Sequence, residues 1–370
     1  MQKKIIALAV AALASTAAFA QTNVTIYGVA DASFDVIQID KSLNQAYNVG
    51  DFNRVSTNSS YIGFKGTEDL GNGLKAVFQF ENTVGFDNPA AITNNRDSYA
   101  GLSSKMGTVV LGNLTGPTRA LGASLDVNAG ATGIGANSGI IGKMGGSRIG
   151  TAGNCAASTT CASTFDTRWS NTIAYVSPNF AGFSAVAAYV ADENKTRDGL
   201  DNNATLRTTG YDVGAKWEGA GFMVGVAYNW FQVGDIAGTA ADNVRLGGSY
   251  KGAWGGVNLM WEETKVEGNP VNDNKQQKWG VGGSFNIGKA AIIGQYYQAF
   301  ESNRTNANDG AYLAEVGAVY NLSKRSSLKA VYAYLDNEAN ATFDFGVNAA
   351  GAAGTGATMQ GLQLGLRHNF

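Results

Sequence analysis

The sequence predicts an all-β protein, a 16-stranded antiparallel transmembrane β-barrel. Three observations lead there. From Asn23 onward, strand-length segments alternate apolar and polar residues with a period of two. The connectors between them come in two kinds, short turns and longer polar loops, and the two kinds alternate. The last segment, Gly361–Phe370, keeps its alternation to the final residue, where soluble domains usually fray.

The chain opens with MQKKIIALAVAALASTAAFA, in which Lys3 and Lys4 precede an apolar stretch that closes on Ala18-Phe19-Ala20. This is the pattern of a secretory signal peptide over residues 1–20, leaving 21–370 as one barrel domain. Removing the two lysines lowers the basic count from 27 to 25 against 29 acids. The mature chain is slightly acidic and shows no basic stripe, so no nucleic-acid partner is expected. No later segment reaches the ~20 apolar residues of a spanning helix. The 49 glycines follow no triplet repeat, which excludes collagen.

The expected strands are 23–37, 57–69, 72–86, 92–104, 107–114, 168–177, 181–193, 206–217, 221–233, 242–252, 254–267, 275–286, 288–302, 309–321, 327–338 and 358–370. GLKAVFQFE shows the logic: Leu74, Ala76, Phe78 and Phe80 share one face, Lys75, Val77, Gln79 and Glu81 the other. Tyr61 and Lys65 likewise oppose Ile62 and Phe64. Short turns fall at 69–73, 177–182, 218–221, 250–255 and 286–290; long loops at 38–56, 115–167, 193–205, 234–241, 267–274, 302–308 and 339–357. An even strand number puts both termini at the short-turn rim, which in a membrane barrel is periplasmic. The final strand must then pair with the first, because an open edge cannot be left in hydrocarbon.

A soluble sandwich would also alternate, but it hides its apolar face between two sheets. Here the inward positions include Lys75, Gln79, Glu81, Arg96, Lys216, Gln295 and Arg367, as suits a polar lumen and a lipid-facing exterior. Enzymatic barrels need an acid/base or Ser/His arrangement. The one histidine, His368, falls on the outward parity of Leu366 and Phe370 with no carboxylate beside it. No GxSxG, HExxH or P-loop occurs, so neither an enzyme nor a cofactor is expected. Cys155 and Cys161, close together in an exported chain, suit a disulfide closing a small loop, and with no histidine nearby they make a poor metal site. A structural or adhesive barrel, or a channel for one specific solute, stays open as an alternative at this stage.

Six stretches resemble the general porins of β-proteobacterial outer membranes, the Neisseria, Bordetella, Comamonas and Burkholderia type. They are VTIYGVADASF (Val24–Phe34), GFKGTEDLGNGLKAVFQFE (Gly63–Glu81), RDSYAGLSSKMGTVVLG (Arg96–Gly112), NTIAYVSPNFAGFSAVAAY (Asn171–Tyr189), YNLSKRSSL (Tyr320–Leu328) and the closing GLRHNF. The resemblance covers essentially the whole mature chain. It implies a homotrimer in the outer membrane whose third external loop, about 115–167, folds inward and narrows each pore. A connector of about 50 residues is independently far above normal loop length, so it is expected to be either functional or disordered.

The resemblance also marks pore residues. In anion-selective relatives an arginine cluster faces the inward loop. Tyr61 stands where one such arginine is usual, and Asn113 at another commonly basic position. Arg96 and Arg168 match the arginines that are kept, with Arg96 on the side opposite Tyr99. The acids opposing them are left open: Asp126 is expected in the inward part of the loop, Asp97 stands beside Arg96, and Asp31, Asp35 and Glu81 fall on the inward parity, where they can instead pair with lysines along the wall. The resemblance further implies passage of small anions and hydrophilic solutes, contact with lipopolysaccharide, and recognition of Phe370 by the barrel-assembly machinery.

Overall fold

The structure, a computed structural model, describes residues 23–87, 92–145, 165–192, 196–197, 205–206, 209–232, 240–267, 274–346 and 354–370. Residues 1–20, Cys155 and Cys161 lie outside the described residues.

Eighteen segments form one antiparallel sheet, and two crossings consist of two segments each, so sixteen strands close the barrel. In chain order they are β1 (Asn23–Asp40), β2 (Gly50–Ser56 and Tyr61–Gly71), β3 (Leu74–Val84), β4 (Ile92–Thr93 and Ser98–Ser104) and β5 (Gly107–Thr115). Then follow β6 (Arg168–Val176), β7 (Phe183–Val190), β8 (Gly210–Gly219), β9 (Phe222–Gln232), β10 (Ala240–Gly252) and β11 (Gly255–Glu267). The last five are β12 (Asn274–Ile287), β13 (Ala290–Ala299), β14 (Ala311–Asn321), β15 (Ser326–Asn337) and β16 (Thr358–Asn369).

Closure is complete. Strand β16 pairs with β1 from Val29↔Asn369 to Asp40↔Thr358. Phe370 adds one more pair, its N–H donating to the Gly28 carbonyl at 3.1 Å and its carbonyl accepting from Gly28 N–H at 3.2 Å. The final residue therefore seals the seam, and no backbone edge faces lipid there. Leu362, Leu364 and Leu366 are exposed on the outer face, as the alternation requires. Aromatic rows line part of the exterior at both ends: Trp279, Tyr296, Tyr312 and Tyr334 follow one another in ring contact toward the long-loop end, and Phe222, Tyr250 and Trp254 at the short-turn end. Such girdles mark the two membrane interfaces.

Two breaks depart from the expected strands. The segment expected as loop 38–56 is largely strand, because Gly50–Ser56 continues the pairing with β1 from Ser33 to Ile39. The interruption at 57–60 folds into the lumen, where Asn58, at φ 47°, donates from Nδ2 to Asp31 at 2.8 Å and to Ser33 at 3.2 Å. Strand β4 is interrupted between Thr93 and Ser98. That irregular stretch turns Arg96 toward the lumen, the side Tyr99 also faces, rather than opposite it as strict alternation implies.

The lumen is not polar throughout. Ile37, Ile39, Met260, Leu313, Leu335 and Met359 point inward from the wall and are buried in a hydrophobic core inside the barrel. What buries them is loop. The connector after β5 enters the lumen as a short helix, α1 (Pro117–Ser124), and supplies Leu121, Leu125, Ile134, Ile140 and Ile141. The last long loop contributes Phe343 and Phe345, both without solvent exposure. The two loops are joined as well, by a Lys143–Asp344 ion pair at 2.6 Å and by Thr342 N–H donating to the Gly145 carbonyl at 3.0 Å.

Candidate functional site: the pore constriction

Helix α1 begins with Pro117, whose fixed φ suits a first helical turn, and its own residues provide no side-chain cap. The wall provides one. Asp212 of β8 accepts from the Thr118 N–H at 3.1 Å and the Thr118 hydroxyl at 2.7 Å, while its other oxygen accepts from Trp169 Nε1 at 3.1 Å. A carboxylate at a helix N-terminus satisfies an orphan donor and favours the dipole.

A fully buried charge network then holds the loop to the wall. Arg245 of β10 donates to the Thr118 carbonyl at 2.7 Å and to Asp166 at 2.9 Å, and its other nitrogens grip Glu262 of β11. Lys278 of β12 meets Glu262 at 3.2 Å, and Glu262 also accepts the Gly142 N–H at 2.8 Å. The entering and returning limbs of the loop thus hang on one carboxylate.

The wall left uncovered carries the arginines. Arg96 donates from Nε to Glu81 at 3.2 Å, and its Cζ lies 4.2 Å from the centroid of the Tyr61 ring. Glu81 is fixed in turn by the Tyr27 hydroxyl at 2.8 Å and Gln79 at 3.1 Å. Arg168 donates from Nε to Asp97 at 2.7 Å, and Thr115 donates to the same oxygen. In both arginines the ion pair uses Nε and leaves the terminal amines outside it.

A third guanidinium comes from the loop itself. Arg119 on α1 donates to the Asp166 carbonyl and lies within electrostatic reach of Arg168 and Arg96. Burial pushes its pKa below the ordinary arginine value, Asp166 opposes that, and the two arginines add repulsion. It stays charged, since arginine starts so high. The sequence held one signal for it: with Asp126, Arg119 is one of the few charges in the first part of the long loop.

Two expected constriction residues sit elsewhere. Asp126 does not oppose the arginines with a free carboxylate. One oxygen accepts from Asn128 N–H at 2.7 Å and Gln295 at 3.1 Å, the other from Asn137 N–H at 2.6 Å, so it closes a turn within the loop and ties it to β13. Burial raises its pKa, against the pull of those hydrogen bonds. Asn113 shares the outward parity of exposed Val109 and Leu111, past which β5 bulges. Its amide bridges the Arg96 carbonyl at 2.8 Å and the Ser170 hydroxyl at 3.1 Å, so it braces Arg96 from behind. The exposed positions on the described inner limb of the loop are Ala120, Ala123, Ser124, Ala129 and Gly130, none of them acidic.

Farther along the wall, Asp31 pairs with Arg367 at 2.9 Å and Lys329 at 3.7 Å, and Asp35 with Arg54 at 3.0 Å. His368 keeps its outward place, its Nδ1 2.8 Å from the Ser326 hydroxyl.

A closed barrel of polar-lined lumen, narrowed by an inward loop, is the form of a channel. Comparison with known families agrees: the family model described as Gram-negative porin matches residues 7–340. The chain belongs to the Gram-negative porin family. Among curated relatives, this porin is 31% identical over 376 residues to outer membrane porin protein 32 of Delftia acidovorans, with both chains fully covered. It is 27% identical over 382 residues to the major outer membrane protein P.IB of Neisseria lactamica, again over both full lengths. Among solved structures, the anion-selective porin from Comamonas acidovorans superposes with a TM-score of 0.76 at 29% identity, covering 95% of this chain and 100% of that one. Family and fold are those of outer-membrane diffusion channels, and the short turns of this porin are periplasmic and its long loops extracellular.

Proposed function

We propose that this porin passes ions and small hydrophilic solutes with a weak preference for anions. One observation carries the reading: Arg119 of the loop lies within electrostatic reach of Arg96 and Arg168 of the wall, and the exposed positions beside it on the loop are alanine, serine and glycine. The acids present, Glu81, Asp97 and Asp166, each hold an arginine, which reduces the net field without engaging the terminal amines of Arg96 and Arg168. A solute squeezed past them meets charge-assisted donors, and the acids among the described residues there are each engaged by an arginine. The preference is weak because the wall pairs nearly cancel and Tyr61 takes the place of a third wall arginine. The likeness to the Comamonas protein, described as anion-selective, supports the same sign.

Three further expectations belong to this reading: assembly as a homotrimer, contact of the outer girdle with lipopolysaccharide, and recognition of Phe370 by the assembly machinery. Planar-bilayer recording under a tenfold KCl gradient tests the channel reading. The expected result is a steady conductance whose reversal potential lies on the chloride side at low salt and moves toward zero as salt rises. A reversal potential on the potassium side would overturn the anion preference, and absence of steady conductance would favour an adhesive or structural barrel.

A further inference from the structure

Beyond its charges, the uncovered wall is aromatic. Lys65 places Nζ 4.8 Å from the Tyr27 ring centroid. The Tyr27 ring meets the Tyr61 ring edge to face, centroids 6.1 Å apart and planes at 76°. The Arg96 guanidinium then lies 4.2 Å over Tyr61. These four side chains form a ladder in which cations and ring faces succeed one another, running from the constriction toward the periplasmic rim.

The geometry points to a low-affinity track for planar aromatic carboxylates. This inference rests on the anion preference proposed above and names a solute class for the same constriction. An inorganic anion passing this wall gains only the cations. An aliphatic carboxylate gains the cations and some apolar contact. A benzoate-like anion alone gains both, because its carboxylate meets the arginine guanidinium while its ring meets the accessible parts of Tyr27 and Tyr61, both half-buried. The scaffold is held in place before any solute arrives: the Tyr27 hydroxyl binds Glu81, and Glu81 holds the Nε of Arg96. Tyr61 at a position that is arginine in strongly anion-selective relatives thus exchanges a charge for a ring.

Benzoate and cyclohexanecarboxylate make the test, since they match in charge and carbon number and differ in planarity and π-system. In bilayers holding the full-length channel, block of the chloride current by each sodium salt is titrated, with the chloride-to-sodium reversal potential measured first. The expected result is half-block by benzoate at about one-third of the concentration needed for cyclohexanecarboxylate, of the order of one ring–ring contact. Tyr61→Leu brings the ratio to about one, whereas Tyr61→Phe keeps it; heat-modifiable migration verifies that each variant is folded. An anion-selective wild type that treats the two acids alike overturns this inference and leaves the anion reading standing. A cation-selective wild type overturns the anion reading itself. A ratio that survives in the folded Tyr61→Leu channel assigns the preference to another surface and overturns the ladder.

Discussion

Leu125 of the inward loop lies against the bare backbone of Gly247 in β10: a Cβ on Gly247 would stand 2.1 Å from Leu125 Cδ1. Across the same strand pair, Gly225 of β9 faces Gly247 in register and receives Leu121, with 2.7 Å between a built Cβ and Leu121 Cδ1. Two opposed glycines make a trough in the wall, and the loop's leucines fill it. The depth of that trough helps decide how far α1 stands off the wall and so how much lumen is left.

Gly247→Ala is therefore expected to push α1 into the lumen. Overpacking of this kind costs about 1–3 kcal/mol, so the variant should lose heat stability and conduct less per channel. Combining it with Leu125→Ala should recover most of the conductance. An unchanged single-channel conductance in a correctly folded Gly247→Ala barrel would refute the trough.

The sign of selectivity is expected to follow the Nε partners. Asp97→Asn removes the carboxylate from Arg168 and should move the reversal potential further toward chloride. Arg168→Ala and Arg96→Ala should each move it toward potassium. The shifts should be largest near 0.01 M salt, where the Debye length is about 30 Å, and small near 1 M, where it is about 3 Å. If none of the three substitutions moves the reversal potential, the constriction lies elsewhere.

Tyr61→Arg should strengthen the anion preference by adding a cation beside Arg96. The new charge would also repel Arg96, so some loss of thermal stability is expected with it. The measurement is again the reversal potential, with the unfolding temperature read alongside.

Glu262→Gln should free the loop. It leaves Arg245 and Lys278 buried without their shared carboxylate, and breaking a buried pair costs about 3–5 kcal/mol. Gly142 also loses a charged acceptor. Current records should show flicker between conductance levels and the heat-modification midpoint should fall; a quiet, wild-type trace would contradict the tether.

Deleting Phe370 should lower the folded fraction recovered from outer membranes, because it removes the backbone pair with Gly28 at the seam. Gly28→Ala probes the same place from the other strand, since a Cβ there would stand 2.5 Å from the Phe370 ring and from the Tyr61 carbonyl. Wild-type assembly of both variants would show that the seam tolerates an open last pair.

The strands were readable because alternation reports directly which side of a sheet each residue faces. Alternation alone turns Leu366 to lipid and Glu81 to the interior, and the structure has Leu366 exposed and Glu81 buried. The orientation of Arg96 is not legible this way, because a break in β4 resets the parity that the rule depends on. Loop residues carry no such period. Nothing in LTGPTRALGASLDVN tells that Leu121 and Leu125 fill a glycine trough, that Arg119 joins two wall arginines, or that Asp126 is consumed by two backbone N–H groups and Gln295.

By itself the sequence determined the barrel, the pairing of its last strand with its first and the facing of residues within unbroken strands, since these follow from local periodicity and from the demand that every strand edge be paired in hydrocarbon. Only the tertiary structure decided what covers each inward position. Ile37, Ile39 and Met359 face a lumen yet lie in a dry core, and Glu262 anchors a loop more than a hundred residues away in the chain. A contact of that kind depends on where two remote segments meet across the barrel, and no local pattern along the chain encodes it.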